Sequence, residues 1–251
     1  GDILQRPAIS AATIALMAAM TFTASTIRGL TGFGMAIILV PLLGMVIRPD
    51  EAVVLAIILQ FMIGPVGMKA ILADSARPSS LIIAATAMLA TPLGLWLLAR
   101  ISPDLARVLI AGVAVGAFLL VLLPKQAGKP PHLGLTLATG LSAGVLAGFA
   151  GMPGPPVVPY FLRMGITPQA ARASMMLVFF ATAIAGTVVA FLSGLATAKL
   201  VAVAVLLLVP MLAGNWLGAR AFGKIDPLLW RIIVGVLLCT AALSAVWRAS
   251  T

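Results

Sequence analysis

Acidic residues are scarce in this chain, and none lies inside a long apolar stretch. Six of the 251 residues are acidic, and there is one histidine. The acids are Asp2, Asp50, Glu51, Asp74, Asp104 and Asp226. Carriers that couple to metal ions or protons usually need carboxylates within the membrane, and hydrolases need a nucleophile with a base or a metal cluster. We therefore predict no metal site, no cofactor and no enzymatic activity.

Cysteine and histidine each occur once, in places that favour structural roles. Cys239 lies in the last apolar run, so an intrachain disulfide is excluded and a small packing residue is predicted. His132 lies in a central loop, away from the apolar runs, which makes it a poor candidate for a metal ligand or proton relay.

Charge of either sign is also rare. Charged residues make up 9% of the chain, against about 25% in soluble domains. The 16 basic residues give a net charge of +10, but they are scattered singly between apolar runs. This pattern favours topology signals and contacts with lipid headgroups. A nucleic-acid partner is not expected, because basic clusters with interleaved aromatic residues are missing.

Long apolar runs dominate what remains, since 62% of the residues are hydrophobic. A membrane-spanning helix needs about 20 such residues. The uncharged runs include 8–27, 29–47, 52–68, 78–99, 108–124, 133–162, 173–198, 200–219 and 232–247. They predict an all-α polytopic membrane protein, and we interpret the first run as a retained helix.

The two halves of the chain resemble one another. At an offset of 119, Gly29, Gly32 and Pro49 match Gly148, Gly151 and Pro168. At an offset of 120, Gly94, Trp96 and Arg100 match Gly214, Trp216 and Arg220. The constant order of these matches predicts a first transmembrane repeat at 8–124, a central loop at 125–132 and a second repeat at 133–248.

Each repeat contains about five helical segments. They are predicted at 9–28, 32–47, 50–72, 79–99 and 104–124, then at 133–149, 154–165, 169–194, 197–219 and 228–248. Five crossings, or three if the first two segments form a re-entrant hairpin, give inverted repeats, which are typical of transporters. Four crossings give parallel repeats. We expect inverted repeats, with broken helices at their interface.

Each repeat contains a glycine-rich break within an apolar run. These breaks are GLTGFGMAIILVP (29–41) and GFAGMPGPPVVP (148–159). In a membrane, irregular backbone is tolerated only where protein or a water-filled cavity surrounds it. A helix that starts after such a break directs free N–H groups and its positive dipole end at the gap, which favours an anion. The alternative is close packing of small residues between helices.

Candidate site residues cluster around these breaks. Arg28 precedes the first break and has two open interpretations, an anion-binding cation or a side chain that snorkels to the headgroups. The predicted substrate-binding set is Arg28, Gly29, Thr31, Gly32, Gly34, Gly148, Gly151, Pro153, Gly154, Ser174 and Asn215. Ser25, Gln60 and Thr182 are further candidates for lining the site, with helix–helix hydrogen bonds as the alternative.

Two other paired motifs predict structural roles. Trp96 and Arg100, like Trp216 and Arg220, are one helical turn apart, which favours membrane anchoring over substrate contact. The turns at 49–51 and 102–104 combine proline with acids and predict helix starts.

The stretches GLTGFGMAIILVPLL, GFAGMPGPPVVPYFL and ITPQAARASMML resemble the TauE/SafE family of sulfite exporters and related sulfonate permeases. The resemblance covers essentially the whole chain. It implies a multi-pass permease of the bacterial inner membrane for sulfite, organosulfonates or related anions, often in the export direction.

We therefore expect a transporter that works by alternating access, with a small anion and membrane lipid as its partners. An anion channel and a permease for another organic anion stay open as alternatives, and an assembly subunit is less favoured. The oligomeric state also stays open, a homodimer being one option.

Overall fold

The computed structural model describes residues 10–122 and 131–221, which contain ten helices and no strand. The helices are α1 (Ala11–Thr31), α2 (Met35–Leu43), α3 (Pro49–Ile63), α4 (Met68–Asp74), α5 (Arg77–Leu98), α6 (Pro103–Leu122), α7 (Leu133–Ala150), α8 (Gly154–Arg163), α9 (Pro168–Leu192) and α10 (Ala198–Arg220). The all-α prediction is thus confirmed for this part of the chain. The predicted segment 228–248, Cys239 and most of the central loop lie outside the described residues.

Helix starts follow the local signals in the sequence. Five helices begin after a side chain that accepts a hydrogen bond from the N–H three residues later. These caps are Ser10, Ser102, His132, Thr167 and Thr197. Helices α3 and α6 begin at Pro49 and Pro103, with acids in their first turns, so both predicted proline–acid starts are confirmed.

Among the described residues, five helices are long and apolar enough to cross a membrane: α1, α5, α7, α9 and α10. Helices α3 and α4 together form a sixth candidate, bent by 85°. The sequence predicted one segment at 50–72, and the structure breaks it between Gly64 and Gly67. Pro65 has no N–H for a helical hydrogen bond, and Gly67 adopts a left-handed φ of 77°.

Helices α2 and α8 are too short to span a bilayer. They have nine and ten residues, or about 14 and 15 Å at roughly 1.5 Å per residue, whereas the hydrocarbon core is about 30 Å thick. Every residue of α2 is buried. The predicted broken helices are therefore observed as α1–α2 and α7–α8, with their second halves inside the protein.

The most extensive helix contacts join opposite halves of the sequence. Helix α1 packs along α10, and α7 packs along α5. A Cβ atom at Gly29 would overlap the backbone of Asn215, and one at its repeat counterpart Gly148 would overlap the backbone of Thr91. Such close approach stabilises helix pairs in lipid, where dispersion replaces the hydrophobic effect between helices.

Large apolar side chains cover the outer faces of these helices. Leu89, Leu192 and Val209 are 80%, 84% and 74% exposed, as expected for side chains that meet lipid. Arg100 and Arg220 each cover the ring of the tryptophan one turn earlier, at 4.2 and 3.7 Å from its centroid. Both arginines therefore lie over their rings in a cation–π arrangement.

Candidate functional site

The first break separates α1 from α2 through two left-handed glycines. Gly32 has φ 81° and Gly34 has φ 89°, a region that residues with a Cβ rarely adopt. The N–H of Gly32 donates to the carbonyl of Arg28 at 2.7 Å and closes α1. The hydroxyl of Thr31 accepts from the N–H of Phe33 at 3.2 Å, which links the end of the helix to the turn that follows.

Helix α2 starts with its backbone donors uncapped. Its N-cap is Gly34, which has no side chain that could accept from the first turn. The N–H groups of Met35, Ala36 and Ile37 consequently have no acceptor within their own helix. These three residues line a cavity, so the positive end of α2 lies at that cavity.

The second break also ends its first helix at a left-handed glycine, but its second helix offers fewer backbone N–H donors. Helix α7 ends at Gly151, with φ 67° and an N–H that donates to Ala147 at 2.9 Å. Helix α8 then begins Gly154-Pro155-Pro156. Because proline has no N–H, the first turn of α8 offers one backbone donor where α2 offers three.

Arg28 brings positive charge to the first break. Its side chain is 8% exposed, and its Nη1 donates to Oδ1 of Asn215 at 2.7 Å. Arg28 lines the cavity together with Gly34. A buried position against an amide differs from that of a snorkelling side chain, which keeps its charged end in water or among the headgroups.

A second cation reaches the same turn of α1. Arg172 lies in α9, and its Nη2 donates to the carbonyl of Gly29 at 2.9 Å. A Cβ atom at Gly32 would overlap Cγ of Arg172, so Gly32 also makes room for this side chain. A cation is favourable here because the last carbonyls of a helix carry its negative dipole end.

The cavity lies between the two breaks and has a volume of about 30 Å³. On the side of the second break it is lined by Met152, Pro153 and Gly154. Helices α3 and α9 contribute Gln60, Gly64, Met176, Phe179 and Phe180. None of the described residues that line it is acidic. A cavity needs roughly 10–15 Å³ to hold one water, so this one has room for about two, and a larger ligand requires the surrounding helices to move apart.

Ten of the eleven residues predicted for the site, all except Ser174, divide into three groups in the structure. Arg28, Gly34, Pro153 and Gly154 line the cavity. Thr31, Gly32 and Gly151 form the breaks, and Asn215 holds Arg28. Gly29 and Gly148 pack α1 and α7 against α10 and α5.

Three candidate hydroxyl groups satisfy backbone atoms instead of lining the cavity. Ser174 donates to the carbonyl of Ala170 and accepts from the N–H of Ala76, which ties α9 to the link before α5. The hydroxyl groups of Ser25 and Thr182 donate to carbonyl groups of their own helices. Gln60, in contrast, lines the cavity and donates to the carbonyl of Gly151 at 3.1 Å.

Sequence reasoning missed Arg172, which it counted among the topology signals. The signal that could have found it is the repeat itself, since position 172 corresponds to Val53 at the offset of 119. A charge without a counterpart in the other half stands out in such an alignment. Phe179 and Phe180 gave no comparable signal, because aromatic residues in an apolar helix are ordinary.

Comparison with known proteins supports a membrane transporter. The sequence model of the family described as Sulfite exporter TauE/SafE matches residues 17–245. Searches of curated proteins and of solved structures found no match. In the described part of the chain, no three histidine, cysteine, aspartate or glutamate residues are grouped to hold a metal ion. With a family match over nearly the whole chain and several helices suited to crossing a bilayer, this multi-pass membrane protein belongs to the TauE/SafE sulfite exporter family, a family of transporters.

Proposed function

We propose that the protein carries a small sulfur-containing oxyanion, such as sulfite or an organosulfonate, across the bacterial inner membrane by alternating access. The anion binds between the two breaks, and its oxygens accept hydrogen bonds from Arg28 and from the first turn of α2. Export is the direction that the family description favours.

One observation carries this proposal: a buried arginine and three uncapped backbone donors border the same cavity, which has no acid in its described lining. A buried cation without a carboxylate partner is unfavourable, and an anionic ligand would remove that cost. Charge-assisted hydrogen bonds are roughly twice as strong as neutral ones. The arrangement therefore suits an anion better than a cation or a neutral solute.

The helix pairing supports alternating access. Helices α1 and α10 form one closely packed unit, and α5 and α7 form another, each composed from both halves of the sequence. In our proposal the repeats are inverted, and these two units rock against each other around the cavity. Phe61 and Phe180, which correspond at the offset of 119, lie between α3 and α9 with their ring centroids 6.2 Å apart, next to the cavity that this motion would open.

The test is flux of radiolabelled sulfite from liposomes that contain the purified protein. We expect saturable efflux and counterflow, both inhibited by thiosulfate or short alkyl sulfonates. Arg28→Gln should abolish most of the flux. Arg100→Gln is the matched control, because it removes an arginine that covers Trp96 and does not line the cavity. Flux that does not saturate would favour the channel, and equal loss in both variants would contradict the anion site.

A further inference from the structure

The two breaks occupy matching places in the repeat but have different partners. Gly29 and Gly148 correspond at the offset of 119, and Asn215 and Leu95 correspond at the offset of 120. In the structure, a Cβ atom at Gly29 would overlap the carbonyl O of Asn215 and the N of Ala219, and one at Gly148 would overlap the carbonyl O of Thr91 and the N of Leu95. The backbone contact is therefore shared between the halves, and it places Thr91 where the first break has Asn215.

The residue before the packing glycine also differs between the two halves. Arg28 in the first half corresponds to Ala147 in the second. Asn215 accepts from Arg28 at 2.7 Å, whereas Thr91 donates to the carbonyl of Ala87 in its own helix and Ala147 has no polar side chain. The polar pair thus occurs in one half only, although helix packing is achieved in both halves. Packing of α1 on α10 does not by itself require an asparagine at position 215.

An amide is a particular choice of partner for a buried arginine. Its oxygen accepts one N–H and fixes the direction of the guanidinium, but it brings no negative charge. A carboxylate at the same place would form a buried ion pair and cancel the charge that faces the cavity. Among the described residues, Arg28 has no carboxylate partner, and Asn215 is its hydrogen-bond acceptor.

We propose that Asn215 is the positioning residue of the anion site: it directs Arg28 at the cavity while leaving its charge available to the substrate. This inference rests on the proposed function. In this arrangement the negatively charged group of the substrate binds at the first break. Helix α8, which starts with prolines, lines the opposite side and offers few hydrogen-bond donors. Asn215 acts through Arg28 and has no contact with the anion in this proposal.

Two substitutions separate positioning from packing. Asn215→Asp keeps the size and the hydrogen bond but neutralises Arg28. Asn215→Leu removes the amide and leaves Arg28 charged but without its acceptor. We expect anion affinity to fall in the order wild type, Asn215→Leu, Asn215→Asp, with a loss of about tenfold or more for the aspartate variant.

Thermal stability without ligand should follow a different order. Asn215→Asp should equal or exceed wild type, because the buried cation gains a counter-charge, and Asn215→Leu should be the least stable, because a buried N–H loses its partner. A merely structural role would make affinity follow stability. Stability and affinity would be measured on the full chain in detergent, with sulfite and nitrate as the probes.

The outcomes are distinct. An aspartate variant that is stable and binds poorly supports the proposal. An aspartate variant that binds like wild type, or loses affinity only together with stability, overturns it. If the aspartate variant does not fold, the leucine variant provides the test. The proposal requires that Asn215→Leu still binds the anion, but more weakly than wild type. Wild type that binds nitrate but no sulfur oxyanion would reject the proposed substrate and still allow the Asn215 comparison, whereas wild type that binds neither anion would reject both.

Discussion

At the first break, α1 ends in a turn that contains Arg28 and receives Arg172 from α9, and α2 begins with three uncapped N–H groups. At the second break, Ala147 and Val53 stand at the corresponding positions, and α8 begins with two prolines in its first turn. Both breaks nevertheless turn through a left-handed glycine and pack against a neighbouring helix through a second glycine. The left-handed glycine and the packing glycine therefore occur at both breaks, whereas the arginines occur only at the first.

This difference indicates which features the fold requires and which the site requires. Close packing of α1 on α10 and of α7 on α5 needs small residues at Gly29 and Gly148, so both halves have them. A single anion needs positive charge and hydrogen-bond donors at only one of the two breaks. A buried cation at the other break would add a desolvation cost without a second ligand to offset it. The side chains around the two breaks can therefore differ while the helices stay alike.

The strongest test of this asymmetry removes the charge at the first break. Arg28→Gln should lower anion affinity by about 10- to 100-fold, the value of a charge-assisted hydrogen bond or two. Stability without ligand should be unchanged or higher, because a buried cation is costly. Isothermal titration with sulfite measures the first effect and thermal unfolding the second. Unchanged affinity in the folded variant would show that the first break is not the charged half.

The next largest effect is expected from replacing the left-handed glycines that end α1 and α7, Gly32 and Gly151. Gly32→Ala should be more harmful than Gly151→Ala. Both changes force a left-handed residue at about 1–2 kcal/mol, but the new methyl group at position 32 would also overlap Arg172, whereas at position 151 its nearest neighbour is Val40 at 3.4 Å. Denaturant unfolding and sulfite flux would be measured for both variants. Equal losses would indicate that Arg172 can move aside at no cost.

The donor-poor start of α8 offers a gain-of-function test. The double change Pro155→Ala and Pro156→Ala supplies two backbone N–H groups to the first turn and should raise sulfite affinity about two- to fivefold, in line with roughly 0.3–1 kcal/mol for a charge at a helix N-terminus. Binding measured by thermal stabilisation with sulfite would check this. No gain, in a variant that folds and transports, would place the anion away from α8.

The smallest effect concerns the other asymmetry between the halves, the bend between α3 and α4, whose counterpart α9 is continuous. Gly67→Ala should cost about 1–2 kcal/mol of unfolding free energy, because position 67 is left-handed; among the described residues, none apart from its chain neighbours lies within 4 Å of the added methyl group. Sulfite affinity should not change, since Gly67 does not line the cavity. A loss of affinity would connect the bend to the site.

Much of the helical layout could be predicted from the sequence, because apolar runs in a bilayer must satisfy their backbone hydrogen bonds internally. The breaks after Arg28 and Ala147 were predictable from their glycines and prolines. The bend at Gly64–Gly67 was missed although it has the same kind of signal, because the second half has no matching break at the corresponding residues 183–186, which lie inside α9. The role of Arg172 was missed because its sequence neighbours resemble those of any loop-flanking arginine.

The sequence by itself determined that the chain forms apolar helices, that its halves contain matching residues in the same order and that each half breaks at glycine and proline. These properties follow from local backbone chemistry and composition. Only the tertiary structure decided that Asn215 meets Arg28 across 187 positions, that Arg172 reaches Gly29 across 143 and that the two breaks share one cavity. Such contacts depend on which helices pack together. A glycine in the sequence indicates that close packing is possible, but it does not indicate which helix packs there.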